Sequence, residues 1–417
     1  MGSVIRIPVV FIDPEIGDLG APPESSKILE KEKNALINAL KSSFPGVEFI
    51  SYDIRDPTDV QAFLNAEGNA VGYVVVTLNS LMGFIDPIVR SGKPVVVISE
   101  AYAGAGEYML GISKALSEGY PVIGISTRNL ASQVVIAKVR YLVALARLRM
   151  SRVLFVVSPS LKSHLYWQFG PNTDMYSVFR LIQSITGITP VVMDANEFRA
   201  RFFDKVSDSE ASEWADRWIR NAEAVYDDSM DEIRNSAKLY IAMRNAVREL
   251  GVNAVAIDCI VLYNTGLLRA WPCLGYMQLW YDGIIPICEA DPYATVPILI
   301  AKYLLNRNGF VVNVGVDEER GGEFIYHHCY APTNPHGGDR PEVPYVITKA
   351  HLGTKHASIH VKLPTNEPVT VVGFNPEERL LTIHVSKSIG NEYSPPQACA
   401  TKLIGSGNAI NVIRNWQ

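Results

Sequence analysis

Three strand-like runs between positions 286 and 329 end on residues that could do chemistry. Pro286-Ile287-Cys288 leads into Glu289-Ala290-Asp291, Val311-Val312-Asn313-Val314-Gly315-Val316 leads into Asp317, and Phe324-Ile325-Tyr326 leads into His327-His328-Cys329. In an α/β sheet the loops at the carboxyl ends of strands converge on one crevice, so side chains far apart in sequence meet there. Two carboxylates and one imidazole are donors that a hard divalent cation such as manganese (Mn2+) or magnesium (Mg2+) prefers. Alternation along a strand sends His327 and His328 to opposite faces, so only one of them can enter the crevice. Its position beside Cys329 favours His328 as ligand or substrate contact and leaves His327 as a structural neighbour or subunit contact.

Each candidate also has a structural reading. Glu289 follows a fully apolar run with no cation nearby in sequence, and a buried carboxylate without a partner is rare enough to point to function. Asp317 opens Asp317-Glu318-Glu319-Arg320 and reads equally as a solvated turn. Asp291-Pro292 is a helix start, an aspartate cap followed by proline at the first helical position, so Asp291 reads first as a cap and second as a substrate contact. Pro297, inside the same helix, implies an irregular first turn. Trp280, Tyr281 and Tyr326 offer aromatic faces for a pyranose ring, or core packing. His351, His356 and His360 do not share a chelating spacing and read as surface or loop residues. Gly104-Ala105-Gly106 lacks the third glycine and acidic partner of a dinucleotide fingerprint, which argues against nicotinamide binding.

The elements that must position these residues follow an α/β pattern. Near-continuous apolar runs at 5–12, 47–52, 72–77, 94–98 and 122–125 read as parallel strands covered on both faces, separated by helical stretches at 27–40 and 106–116 and followed by a long helix over 130–150. A second series begins at 153–157, with a helix over 176–186, a strand at 190–193, a long helical region over 209–250 broken between Ala224 and Asp231, and strands at 254–257 and 284–288. Beyond about residue 340 only short strands remain, at 345–348, 358–363, 369–374 and 380–385. The expected fold class is α/β, with two doubly wound Rossmann-like or flavodoxin-like domains, 1–150 and 151–340, the second carrying the carboxylates, and a small C-terminal β domain, 341–417. The stretch from Pro332, rich in Pro, Gly and Asn, reads as a mobile loop beside the site.

Composition bounds the rest. The 417 residues are 48% hydrophobic and 19% charged with a net charge of −5, which gives no electrostatic case for nucleic acid. No apolar run approaches the roughly 20 residues of a membrane helix, and the N-terminus lacks a signal-peptide layout, so no membrane partner and a cytoplasmic location are expected. Five cysteines, with no C-x-x-C spacing, indicate neither a disulfide framework nor a zinc knuckle.

Pro272-Cys273, Asp282-Gly283-Ile284, Cys288-Glu289-Ala290-Asp291, Asp317 and His328-Cys329, taken in order, resemble the L-fucose isomerase and L-arabinose isomerase superfamily. Glu367-Pro368-Val369-Thr370 and Cys399-Ala400-Thr401 resemble elements of that family's C-terminal domain, while the N-terminal resemblance is architectural only. The resemblance implies a metal-dependent aldose–ketose isomerase that works through an enediol. It makes Glu289 and Asp317 both ligands to a manganese-type ion and the acid–base pair, adds a small-molecule sugar substrate, and implies a homo-oligomer, hexamer or trimer. The chain departs from the family near its end, where a histidine would complete the metal site. Gly407-Asn408-Ala409 comes slightly early and the sequence stops at Gln417, so the histidine is replaced or the chain ends before it. The alternative is a non-catalytic sugar-binding or regulatory relative.

Overall fold

In a computed structural model, the described residues are 4–14, 23–78, 83–158, 175–226, 229–349, 357–393, 399–408 and 412. The chain divides into two units, Met1–Arg147 and Leu148–Gln417. The fold is mixed α/β, with parallel sheets and a separate antiparallel sheet.

In the first unit, β1 (Ile5–Ile12), α1 (Pro23–Ser43), β2 (Val47–Ile54), α2 (Pro57–Ala66), β3 (Tyr73–Thr77), α3 (Ile85–Arg90), β4 (Val95–Glu100), α4 (Ala105–Ser117), β5 (Val122–Thr127) and α5 (Gln133–Arg149) alternate. The strands form one parallel sheet in the order β2-β1-β3-β4-β5. Its two faces bury separate apolar clusters, one around Val9, Phe11, Val74 and Val139 and the other around Val10, Tyr73, Val75 and Ile88, which is why these strands read as unbroken apolar runs. Gly104 is a packing glycine: a Cβ there would stand 2.1 Å from the Thr77 carbonyl oxygen.

The second unit opens with β6 (Arg152–Val157), α6 (Met175–Thr186), β7 (Thr189–Asp194), α7 (Ala195–Arg201) and α8 (Asp208–Asn221). The helical region then breaks where the sequence predicts. The two-residue β8 (Ala224–Val225) intervenes before α9 (Met230–Leu250), which Ser229 caps and Gly251 ends in the left-handed conformation. Next come β9 (Ala254–Ile257), α10 (Cys259–Asn264), α11 (Cys273–Tyr281), β10 (Ile285–Cys288) and α12 (Pro292–Leu305). Strands β10-β9-β6-β7 form the second parallel sheet. Pro297 lies inside α12 without ending it.

The remaining strands are β11 (Asn313–Asp317), β12 (Glu323–His328), β13 (Tyr345–Lys349), β14 (Ala357–Val361), β15 (Pro368–Asn375), β16 (Leu380–Asn391) and β17 (Thr401–Ser406). Five of them make an antiparallel sheet in the order β11-β12-β17-β16-β15, and β14-β13-β8 makes a fourth, small sheet. Three sequence expectations change here. The strand ending on Asp317 is not in the parallel sheet with β10; it forms an antiparallel hairpin with β12, turned by Gly321 and Gly322 at φ of 76° and 80°. The expected boundary at 340/341 also falls between β12 and β17, which are paired strands of one sheet. His360 is a third change, since it lies buried in β14 with Nδ1 3.1 Å from the Ala400 carbonyl oxygen, while His351 and His356 lie outside the described residues.

Candidate functional site

Parallel pairing of β9 and β10 places Cys288 beside Ile257 at the carboxyl edge of the second sheet. Asp258-Cys259 and Glu289-Ala290 therefore leave that edge side by side. The edge is held by Tyr276 of α11, whose buried hydroxyl oxygen accepts the Ile257 N–H at 2.8 Å. The antiparallel sheet brings its own end to the same place, because His328 closes β12 opposite Thr401, the first residue of β17.

Glu289 is the unusual residue of this edge. Its φ is 60° and that of Ala290 is 56°, two consecutive non-glycine residues in the left-handed region. Each such residue costs about 1–2 kcal/mol, and strain of this kind is retained where the geometry it enforces is used. The turn aims the Glu289 carboxylate at the buried imidazole of His328, with Oε1 4.0 Å from Nε2; the Glu289 side chain is 15% exposed and that of His328 3%.

The five cysteines, which the sequence shows only as odd in number and irregular in spacing, are all buried free thiols. Cys259 contacts Cys288, and Cys329 contacts both Cys273 and Cys399, the last with 3.7 Å between sulfurs. Burial pushes the thiols of Cys259, Cys273 and Cys288 up from their ordinary pKa. For Cys329 the hydrogen bond with Cys273 is the main upward cause, and for Cys399 it is the hydrogen bond with Cys329. Among the described residues, two triads have ligand atoms within 4.8 Å of one another, Cys259–Cys288–Glu289 and Glu289–His328–Cys329, and both contain Glu289. The signal for them in the sequence is position: Cys259, Cys288 and Cys329 each stand at or just past a strand's carboxyl end.

The other expected residues lie elsewhere. Asp317 is at the far end of β11: Asn313 faces His327, and the four residue steps from Asn313 to Asp317 span about 13 Å. Its Oδ1 accepts the backbone N–H groups of Glu319 and Arg320 at 3.0 and 3.2 Å, the solvated-turn reading. Asp291 caps α12, accepting from the N–H groups of Tyr293 and Ala294 at 2.7 and 3.1 Å. Trp280 is buried in α11 beneath the Lys302 ammonium, 5.6 Å from the ring centroid. His327 takes the opposite face of β12, as alternation requires, and hydrogen-bonds the Cys399 thiol. Tyr281 hydrogen-bonds Thr333, and Tyr326 is buried against His384 and Ser386.

No protein-family model and no curated protein matches this chain.

The stretch from Pro332 is anchored along its length. Tyr330 to Asn334 are buried, the Asn308 N–H and side-chain amide donate to the carbonyls of Pro335 and Asn334 at 3.1 and 3.0 Å, and Gly337 packs on the Asn306 carbonyl. Within it, His336 sits between two carboxylates, with Nδ1 2.9 Å from Glu342 and Nε2 2.8 Å from Glu367. A surface cleft lined by Arg199, Asp204, Asn235 and Arg269 lies apart from Glu289. Arg199 and Asp204 there already pair with each other at 3.2 Å.

Proposed function

We propose that the Glu289–His328 centre isomerises a sugar by proton transfer, as an aldose–ketose isomerase resembling the L-fucose and L-arabinose isomerases. The observation that carries this reading is the carboxylate of Glu289, fixed by a left-handed turn at a strand's carboxyl end and facing a buried imidazole at 4.0 Å. Moving a carbonyl from C1 to C2 requires a base to take the C2 proton and return it to C1, passage of the O2 hydroxyl proton to O1, and an electrophile to neutralise the developing enediolate. Glu289 is the base, carrying the proton on its carboxylate between the two carbons. His328, whose Nε2 lies 4.0 Å from that carboxylate, would orient the sugar oxygens. The order β2-β1-β3-β4-β5 of the first sheet is that of a flavodoxin-like domain, which agrees with the doubly wound architecture expected for such an enzyme. Homo-oligomeric assembly and a cytoplasmic location belong to the same proposal.

A divalent cation at this centre would supply Lewis-acid stabilisation of the enediolate. The manganese set implied by the resemblance fits only in part, since Glu289 and His328 meet but Asp317 does not join them. That missing second carboxylate is the observation favouring the alternative, a sugar-binding relative without turnover.

The test is proton NMR in deuterium oxide of the protein with added divalent cation and a panel of aldoses including L-fucose, D-arabinose and L-arabinose. Ketose formation, or exchange of the C2 proton, is the expected result. Sugar binding without either, under every cation tried, would leave the binding reading in its place.

A further inference from the structure

The donors gathered around Glu289 are not those of a hard cation. Manganese and magnesium favour oxygen ligands, yet the two triads found among the described residues offer one carboxylate, one imidazole and thiols, with Asp317 about 13 Å along its strand. We propose that Glu289, His328 and Cys329 hold a thiophilic divalent cation of the zinc class. The inference deepens the isomerase reading by naming the cation of the same centre, and it rests on that reading only for the ion's catalytic use.

Three features support it. The three ligand atoms already lie within 4.8 Å of one another, and the donors of a tetrahedral zinc site are about 3.3–3.7 Å apart, so side-chain shifts of about 1 Å close the triad on an ion. Charge also balances: the Glu289 carboxylate and a Cys329 thiolate together match a dication, so the loaded site is neutral where an isolated buried charge is costly. As the sulfur–metal bond forms, the Cys329 S–H bond breaks and its proton leaves to solvent. Finally, three protein ligands leave one tetrahedral position for water or a substrate oxygen, the arrangement of catalytic zinc sites. The Glu289 side chain, 15% exposed beside the 3% of His328, gives that position a route to solvent.

Cobalt(II) is the probe, because a thiolate ligand gives it an intense near-ultraviolet charge-transfer band whether or not the protein turns over a sugar. The full chain, stripped with chelator, is expected to bind one cobalt with that band and to lose the band on adding zinc. Cys329→Ser should abolish the band, and Glu289→Gln and His328→Gln should each weaken zinc binding at least as much as loss of an outer-shell partner does, about 10- to 100-fold. Asp317→Asn should leave both unchanged. Circular dichroism confirms that each variant is folded, and Glu289→Gln, isosteric at a partly exposed position, keeps the test valid if Cys329→Ser does not fold. Cobalt bound without the band, a band that survives Cys329→Ser, a band lost in Cys288→Ser but kept in Cys329→Ser, or zinc binding lost with Asp317→Asn would each overturn the assignment. A sugar panel that stays silent while the band is present would instead count against the isomerase reading alone.

Discussion

Replacing Glu289 by glycine and by alanine should invert the usual order of stability. Both changes remove the carboxylate and its contact with His328, so their difference isolates the backbone. At φ of 60° an alanine Cβ costs about 1–2 kcal/mol that glycine does not incur. Glycine gives back about 0.4–1 kcal/mol through the greater freedom of its unfolded chain. Glu289→Gly should therefore be more stable than Glu289→Ala by about 0.5–1 kcal/mol, whereas in an ordinary helix or strand alanine is the more stable by about 0.5–1 kcal/mol. For a unit of this size the gain amounts to about 1–4 °C in Tm. Tryptophan fluorescence in urea is a suitable assay, because all six tryptophans lie in the second unit. The signal therefore follows the unit that contains Glu289. Alanine equal to or more stable than glycine would refute the claim that strain at this turn is held for the site.

Other consequences concern the supports of the site. Tyr276→Phe leaves the Ile257 N–H at the edge of β9 without its acceptor and should lower stability by about 1–3 kcal/mol in the same urea assay. Gly337→Ala, at φ 88° with a Cβ that would lie 1.9 Å from the Asn306 carbonyl oxygen, should destabilise by clearly more than Gly283→Ala, whose Cβ would meet open space at φ 72°. The Gly283 change carries only the left-handed cost of about 1–2 kcal/mol. His336 is held above its ordinary pKa, chiefly by its hydrogen bond to Glu367. A raised pKa in the folded state means that the protonated ring stabilises fully below the ordinary histidine value of about 6.5 and that this contribution is lost as pH rises through the raised value. The urea midpoint of the wild type should therefore fall across neutral to mildly alkaline pH relative to His336→Gln; parallel curves would remove His336 from the account.

Sequence reading recovers elements where burial and local chemistry agree. The runs at Ile5–Ile12 and Ala254–Ile257 are apolar because helices cover both faces of their sheets, and Asp291-Pro292 marks its helix start because cap and proline act locally. Sheet membership is a non-local property, and there the reading fails. Val311 to Asp317 looks like another buried strand, and only Gly321-Gly322, two left-handed glycines between strands, signals the hairpin that carries Asp317 away from Glu289. The short β17, Thr401–Ser406, goes unread for the same reason, since it is a strand through its pairing with β12 and β16. At the site Glu289 and His328 were legible as a carboxylate and an imidazole at strand ends. The thiol cluster was not, because Cys259, Cys288 and Cys329 come from three strand ends of two different sheets and share no spacing.

The most direct test of the central claim is exchange of the sugar C2 proton in deuterium oxide, followed by NMR for wild type, Glu289→Gln and Asp317→Asn. A positioned acid–base group contributes about 10²–10⁴-fold. Exchange should therefore fall by at least that lower figure in Glu289→Gln, with the fold intact, and stay at the wild-type rate in Asp317→Asn. Exchange that survives Glu289→Gln, or that disappears with Asp317→Asn, would contradict the account.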